Sequence, residues 1–411
     1  MADLIGFTSI ALVSLIVVFI GLRWPHVSKI IYVALIVRVI FILIGHYIIP
    51  LPDSTKDAAG LEDLAWNMYG KDGFFNALSL FPGLSSFFYS WIVGVLYSLF
   101  GRSILMAQSL SLFFGIGSIF LAWFISKKIW DNHTATKVGW VLALFPSLIL
   151  YSVLPLREVF QGFFLLIALI GIFYWVRDNS YKSIFLAVFG FIGATFFHGA
   201  LLLGGVIFLF VIVLTSIIKL CKSIISLRIN LNAFVIMFLA IIFLQFYFLN
   251  KIYIPKLGYF DQLHMAYFLA ESKARMIGDA SYGGLLNISS YTEIFYKAPL
   301  RVMYFLFSPF PWNVEKLSHL IGMFDGILYM LIVYLILSNL KIIWKDPFLR
   351  IILIILFCYL FMFAFGVSNF GAGLRHRSKF IIMMIILIGP LIPKFIFSNK
   401  VKLTNKHKNK F

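Results

Sequence analysis

Charge is what this sequence has least of. Only 12% of its 411 residues are Asp, Glu, Lys or Arg, about half the roughly 25% of a soluble domain. Acidic residues are the scarcer kind, 16 against 34 Lys and Arg. Two cysteines, Cys221 and Cys358, both fall in or beside apolar runs, so no structural disulfide is expected and no CxxC or zinc spacing exists. The chain has no P-loop, no GxSxG and no HExxH, which removes soluble-type nucleotide chemistry and the commonest hydrolase signatures. Internal repeats, low-complexity linkers and a matched pair of broken transporter helices are also missing. Ten-residue segments of strict alternation, the mark of a membrane β-barrel, do not occur.

Apolar sequence fills the space that charge leaves. Hydrophobic residues make up 62% of the chain, in runs long enough to cross a hydrocarbon core of about 30 Å as helices. The runs are 4–22, 29–49, 104–126, 138–153, 159–176, 183–197, 200–218, 232–249, 318–339, 350–367 and 380–397. They predict an all-α polytopic membrane protein, a single transmembrane domain over 1–411 with about eleven transmembrane helices. The run Leu4–Leu22 lacks a basic leader and a small-residue cleavage site, so it is expected to remain as a helix.

The net charge of +18 fits the positive-inside rule better than nucleic-acid binding, and no nucleic-acid partner is expected. Arg23–Lys29, Lys127–Lys137, Arg177–Lys182, Lys219–Arg228, Lys341–Arg350 and the basic tail 398–411 are the basic connections. All fall on one side, the cytoplasm, if the N-terminus is outside. That topology leaves two long outer segments, 50–103 and 250–317, and makes the short apolar stretch Phe87–Phe100 an interfacial helix whose Tyr89, Trp91 and Tyr97 suit the headgroup level. The expected location is the plasma or inner membrane, multi-pass, with the active site on the outer face.

Ionisable residues near a membrane are costly, so those that persist are candidates for function. The first outer loop carries Asp53, Asp57, Glu62, Asp63 and Asp72; its bland reading is a solvated acidic loop. Asp53 and Asp57 directly follow a span, and their spacing of four would put both on one helical face. A carboxylate there can serve as general base or hold a divalent cation. The turn Leu154–Glu158 offers Arg157 and Glu158, either a local ion pair or a second acid facing the first loop. Asp57 and Glu158 are the candidate ligands if a cation is used; no cofactor is otherwise specified.

The segment Ser368–Lys379 places Arg375, His376, Arg377 and Lys379 on the outer side, against the positive-inside rule. Arginine forks suit phosphate oxygens, so these four, with Arg301, are candidate donor-phosphate ligands. The run Arg301–Trp312, with two prolines and several aromatics, reads as a rigid membrane-facing wall in which Trp312 could stack on a sugar. His198 lies at an outer turn and is a further candidate. Asn287-Ile288-Ser289 fits the glycosylation sequon, a short match.

The stretch Asp57-Ala58-Ala59-Gly60-Leu61-Glu62-Asp63-Leu64-Ala65-Trp66-Asn67-Met68-Tyr69-Gly70-Lys71-Asp72-Gly73-Phe74 resembles the first-loop motif of GT-C superfamily glycosyltransferases, which include protein O-mannosyltransferases and the aminoarabinose transferase of lipid A. That motif has Asp, often Tyr four on, Ala eight on, and a Gly–Phe ending; Asp57, Ala65, Gly73 and Phe74 match, and Leu61 stands where Tyr is usual. The interfacial stretch ending in Phe100-Gly101, the basic turn with Lys127 and Lys128, Phe145-Pro146-Ser147 and Arg157-Glu158 follow in the same order, so the resemblance covers roughly 50–200. Pro309-Phe310-Pro311-Trp312 and Arg375-His376-Arg377 resemble segments of bacterial membrane proteins of surface-polysaccharide pathways.

The resemblance implies a GT-C-like fold and transfer of a sugar from a polyprenyl-phosphate or polyprenyl-diphosphate donor to a lipid, glycan or protein acceptor. Partners would be the lipid-linked sugar, the acceptor and membrane lipids. Asp57 (or Asp53) would be the base, Glu158 would orient a metal or the acceptor, and Arg375, Arg377 and Lys379 would neutralise the leaving phosphate. A polysaccharide repeat-unit polymerase is the nearer alternative. A lipid-linked oligosaccharide flippase or transporter is the alternative of another class; it should carry charge at mid-span, where only Arg38 and Asp325 stand out.

Overall fold

A computed structural model describes residues 1–180, 182–225 and 291–393, with 245, 281, 282 and 286 between them. The expected span 232–249 apart from residue 245, most of 250–290 including Asn287, and the tail 398–411 lie outside the described residues. Among the described residues the structure is helical without strands; a single isolated bridge joins Ser281 to Asn369.

The chain opens with α1 (Ala2–Arg23) and α2 (Pro25–Tyr47). The first long loop holds α3 (Ala59–Leu64), α4 (Phe74–Ser79) and α5 (Phe88–Phe100). Then come α6 (Ile104–Ile129), α7 (Asn132–Leu144), α8 (Pro146–Tyr151), α9 (Glu158–Asp178), α10 (Lys182–Phe197) and α11 (Leu202–Ile225). The last part has α12 (Tyr291–Phe307), α13 (Leu317–Ser338), α14 (Leu340–Lys345), α15 (Pro347–Gly366), α16 (Phe370–Ser378) and α17 (Ile381–Leu387).

Seven of these helices are long and apolar enough to cross a membrane: α1, α2, α6, α9, α11, α13 and α15. The other expected spans differ for identifiable reasons. The run 138–153 is broken at Phe145-Pro146 into α7 and α8, because proline lacks an N–H and pushes its predecessor into extended backbone, here φ −68° and ψ 123°. Arg38 of α2 repairs the break. It donates from Nη1 to the Ala143 carbonyl (2.9 Å) and from Nε to Ser152 Oγ (2.8 Å). A neighbouring helix thereby satisfies backbone that would otherwise be stranded in an apolar setting.

The run 183–197 is one helix, α10, of 16 residues, short for a straight crossing. It packs antiparallel on α9 through paired small residues. A Cβ on Gly171 would lie 2.3 Å from the Ala187 amide nitrogen, and one on Gly190 would lie 2.3 Å from that of Ala168. Backbones this close require small residues on both faces.

The expected last span, 380–397, contains the seven-residue α17 and a 3₁₀ turn at Gly389–Leu391. Every residue from Ile381 to Ile388 is buried. A helix apolar on all sides suits either lipid or a protein core, and the burial of this one by its neighbours makes it a core helix. Lys137 Nζ closes its far end on the carbonyls of Pro390 (3.1 Å) and Ile392 (2.6 Å). The segment before it, expected as an outer turn, is also helical. Asn369 caps α16 by accepting from the Ala372 amide at 2.7 Å, so Arg375 through Lys379 project from a helix leading into the bundle.

The short helix expected at the interface is α5, and 13 residues reach only about 20 Å at 1.5 Å each. Its tyrosines face inward, contrary to the expected headgroup belt: Tyr89 and Tyr97 are buried, and Tyr97 Oη donates to Glu62 (2.8 Å). Arg102 clamps Glu62 through Nε (3.0 Å) and Nη2 (2.6 Å) and also pairs with Asp63, tying α3 to the start of α6. At the opposite end of α9, Arg177 pairs with Asp346 before α15, among the basic connections.

Candidate functional site

Three segments far apart in sequence meet at the first-loop end of the bundle. Asp57 pairs with Arg375 across 318 residues. Arg375 Nε also lies 3.4 Å from Glu158 Oε1. Asp53 Oδ2 accepts from Tyr151 Oη at 3.0 Å and feels the charges of Arg375, Asp57 and Glu158.

Local backbone explains how the two aspartates converge. Asp53 is left-handed, with φ 63°, and leads into a π-helical turn at Ser54–Ala58. Aspartate tolerates that region better than most residues. A second π-helical turn, Ala65–Gly70, follows α3. Such turns are rare and occur frequently at functional sites. Asp53 precedes the turn and Asp57 lies within it, so the two aspartates are not two positions on one α-helical face.

The three carboxylates differ in environment. The Asp57 side chain is 61% exposed and that of Glu158 1%. Burial pushes the half-buried Asp53 carboxyl above the ordinary carboxylate range. Its bond from Tyr151 and the Arg375 charge oppose that push, while Asp57 and Glu158 add to it. Neither Glu158 oxygen has a hydrogen-bond partner, and neither has Arg375 Nε, so the 3.4 Å contact is electrostatic rather than a formed hydrogen bond.

Glu158 looks into a partly enclosed cavity between α2, α6, α7, α8, α9, α16 and α17. Its polar lining includes Ser118, Tyr151, Ser152, Ser378, Lys379 and Arg38. One helical turn beyond Glu158, Gln161 Oε1 accepts from Lys379 Nζ, which also reaches His376 Nδ1 at 3.2 Å. Arg375 on α16 and Lys379, the C-cap residue four positions on, thus face Glu158 and Gln161, one turn apart on α9.

Other expected site residues serve the fold. Arg377 is fully buried. It donates to the carbonyls of Leu306 (2.6 Å), Ser308 (2.8 Å) and Gly322 (3.3 Å) and to Asp325 Oδ2 (3.0 Å). Arg301, also buried, donates to the carbonyls of Leu286, Ala364, Phe365 and Val367, closing the C-terminal end of α15. Their expected role as phosphate ligands is corrected: helix ends already occupy these guanidiniums. Arg157 turns from Glu158 and donates to the Ser86 carbonyl (2.9 Å). His198 caps a 3₁₀ turn by accepting from the Ala200 amide (3.3 Å), its ring 5.4 Å from that of His376. Trp312 is 71% exposed and stacks on Phe310, outside the cluster.

A divalent cation, left open by the sequence with Asp57 and Glu158 as its candidate ligands, would share those carboxylates with Arg375. The Arg375 guanidinium stands between the two carboxylates and would repel a second positive charge. Among the described residues no three His, Cys, Asp or Glu side chains are grouped as metal ligands.

Sequence reading missed Tyr151 and Gln161. Gln161 carried a signal, an amide one turn after Glu158 inside an apolar run. Tyr151 carried none, since tyrosines are common at span ends.

No family model, no curated protein and no solved structure matches this chain. The functional reading therefore stands on these side chains and on the first-loop resemblance.

Proposed function

We propose that this protein is a glycosyltransferase that moves a sugar from a polyprenyl-phosphate or polyprenyl-diphosphate donor to an acceptor hydroxyl at the outer face of the membrane. One observation carries the reading: an exposed carboxylate, Asp57, and a largely buried guanidinium, Arg375, meet at a membrane-proximal end of the bundle beside two further acids. Sugar transfer from a lipid phosphate needs a base for the acceptor and a cation for the leaving group, side by side.

In this reading Asp57 takes the proton of the acceptor hydroxyl as its oxygen bonds to the anomeric carbon. The bond from that carbon to the phosphate oxygen breaks, and the lipid phosphate leaves with the electron pair. Arg375 receives that negative charge through its fork. Donor phosphate competes with Asp57 for Arg375, so donor binding frees the carboxylate as base. Asp53, held by Tyr151, keeps a second acid beside the acceptor. Base catalysis of this kind contributes about 10²–10⁴-fold.

Arg38 and Asp325, the ionisable residues that a transporter reading would use, have structural partners in Ala143, Ser152 and Arg377. That removes the need for a transport path to explain them.

The test is transfer by purified protein from a panel of radiolabelled polyprenyl-phosphate and polyprenyl-diphosphate sugars to extracted lipid and glycan acceptors. Asp57→Asn and Arg375→Gln are expected to lose at least a hundredfold in rate. Chain growth from lipid-linked repeats without single-sugar transfer would replace this reading with a polymerase. Equal transfer by wild type and both variants would refute it.

A further inference from the structure

Two carboxylates of opposite character hold Arg375. Its Nη1 pairs with Asp57, whose side chain is 61% exposed, and its Nε lies 3.4 Å from Oε1 of Glu158, whose side chain is 1% exposed. Water competes freely for the first contact and little for the second. Burial lowers the Arg375 guanidinium, and Glu158, ahead of Asp57, lifts it above its ordinary value. The buried acid weighs more because its field is less screened.

Glu158 is itself well fixed. It stands in the first turn of α9, where the helix dipole favours negative charge. Other cations near it have acceptors of their own: Arg157 donates to the Ser86 carbonyl, Lys379 to Gln161, and Arg38 to the Ala143 carbonyl and Ser152. Among the described residues Arg375 is the one cation within ion-pair distance of Glu158. The two acids meet different nitrogens of Arg375, so an incoming phosphate can take Nη1 from Asp57 while Nε stays with Glu158. Without Glu158 the arginine would lose its second anchor at the moment Asp57 lets go.

We infer that Glu158 is a positioning residue, which holds the Arg375 guanidinium in place while donor phosphate displaces Asp57 from it. This rests on the glycosyltransferase reading above and adds which acid keeps the cation aimed at the leaving phosphate once the other is released.

Steady-state transfer tests it, with kcat counted per folded molecule and KM taken for the donor that the wild type accepts. Misplacing a catalytic group by about 1 Å costs up to about a hundredfold, so Glu158→Gln is expected to lower kcat by about ten- to a hundredfold. Donor KM should stay level or fall, because a negative charge beside the phosphate is removed. A raised KM with kcat intact would make Glu158 a contact of the donor and overturn the inference. In an Arg375→Gln background the same substitution should change kcat by less than about threefold, since Glu158 then has nothing to hold; equal losses in both backgrounds overturn it. Glu158→Asp sets the charge one methylene back and should lose about two- to tenfold in kcat at level KM. That variant carries the test where Glu158→Gln does not fold, and a wild-type kcat in it overturns the inference, because placement of the carboxylate is then immaterial. Wild-type kcat in Glu158→Gln overturns this inference alone. No transfer by the wild type from any donor overturns the glycosyltransferase reading and this inference with it.

Discussion

Arg375 and Arg377 lie two residues apart on α16, and each pairs with an aspartate, yet the two pairs should respond oppositely to the same substitution. The Asp325 side chain is 3% exposed and the Arg377 side chain 0%. Asp325→Asn would leave the Arg377 charge buried without its counter-ion. Breaking a buried pair from one side costs about 3–5 kcal/mol, roughly a hundredfold to several-thousandfold in the folding equilibrium. Asp57 is 61% exposed, and an exposed pair contributes about 0–1 kcal/mol. Asp325→Asn should therefore unfold at markedly lower denaturant while Asp57→Asn unfolds with the wild type. The transfer assay should invert the ranking per folded molecule, with Asp57→Asn inactive and Asp325→Asn active. The double variant Asp325→Asn with Arg377→Met should regain part of the lost stability, since no lone charge stays buried. The measurement is SDS titration of purified protein in mixed micelles, followed by tryptophan fluorescence and repeated for all three variants. Equal destabilisation by Asp57→Asn and Asp325→Asn, or none by either, would refute the division of the two arginines into chemistry and architecture.

Other outcomes follow from single contacts. Because burial raises the Asp53 carboxyl, any activity that needs it ionised should fall, as pH drops, at a midpoint above the ordinary 3.8. Tyr151→Phe removes a bond that favours the ionised form and should move that midpoint further up in a pH–rate profile; a downward move would count against the Asp53–Tyr151 geometry. Arg38→Met strands the Ala143 carbonyl beside the Pro146 break and should cost about 1–3 kcal/mol in SDS titration, whereas Arg23→Met at an exposed helix end should cost little. Gly190→Ala puts a Cβ 2.3 Å from the Ala168 amide nitrogen and should force α9 and α10 apart, lowering stability by about 1–3 kcal/mol. Gly60→Ala, with open space around it, is the matched control in the same melts.

Much of the architecture was written in composition. Hydrocarbon thickness sets a minimum length for an apolar helix, and seven of the expected runs meet it as helices. The acidic first loop and the basic Arg375–Lys379 stretch stood out because charge is so scarce elsewhere. The first-loop acids Asp53 and Asp57 and the distant Glu158 could be singled out one by one in the same way.

Three things were decided only by the tertiary structure. One is which of several similar arginines face the site: Arg301, Arg375 and Arg377 are chemically identical, and only the positions of helix ends show that two cap backbone while one meets Asp57. Another is the path of the chain through 138–153 and 380–391. There proline breaks the helical pattern, or surrounding protein removes the need for a full-length span, and periodicity alone reports neither. The last is the partnership of Tyr151 with Asp53 and of Gln161 with Lys379. Hydrogen bonds act over about 3 Å between residues roughly 100 to 200 positions apart, so folding creates proximities that no local pattern encodes.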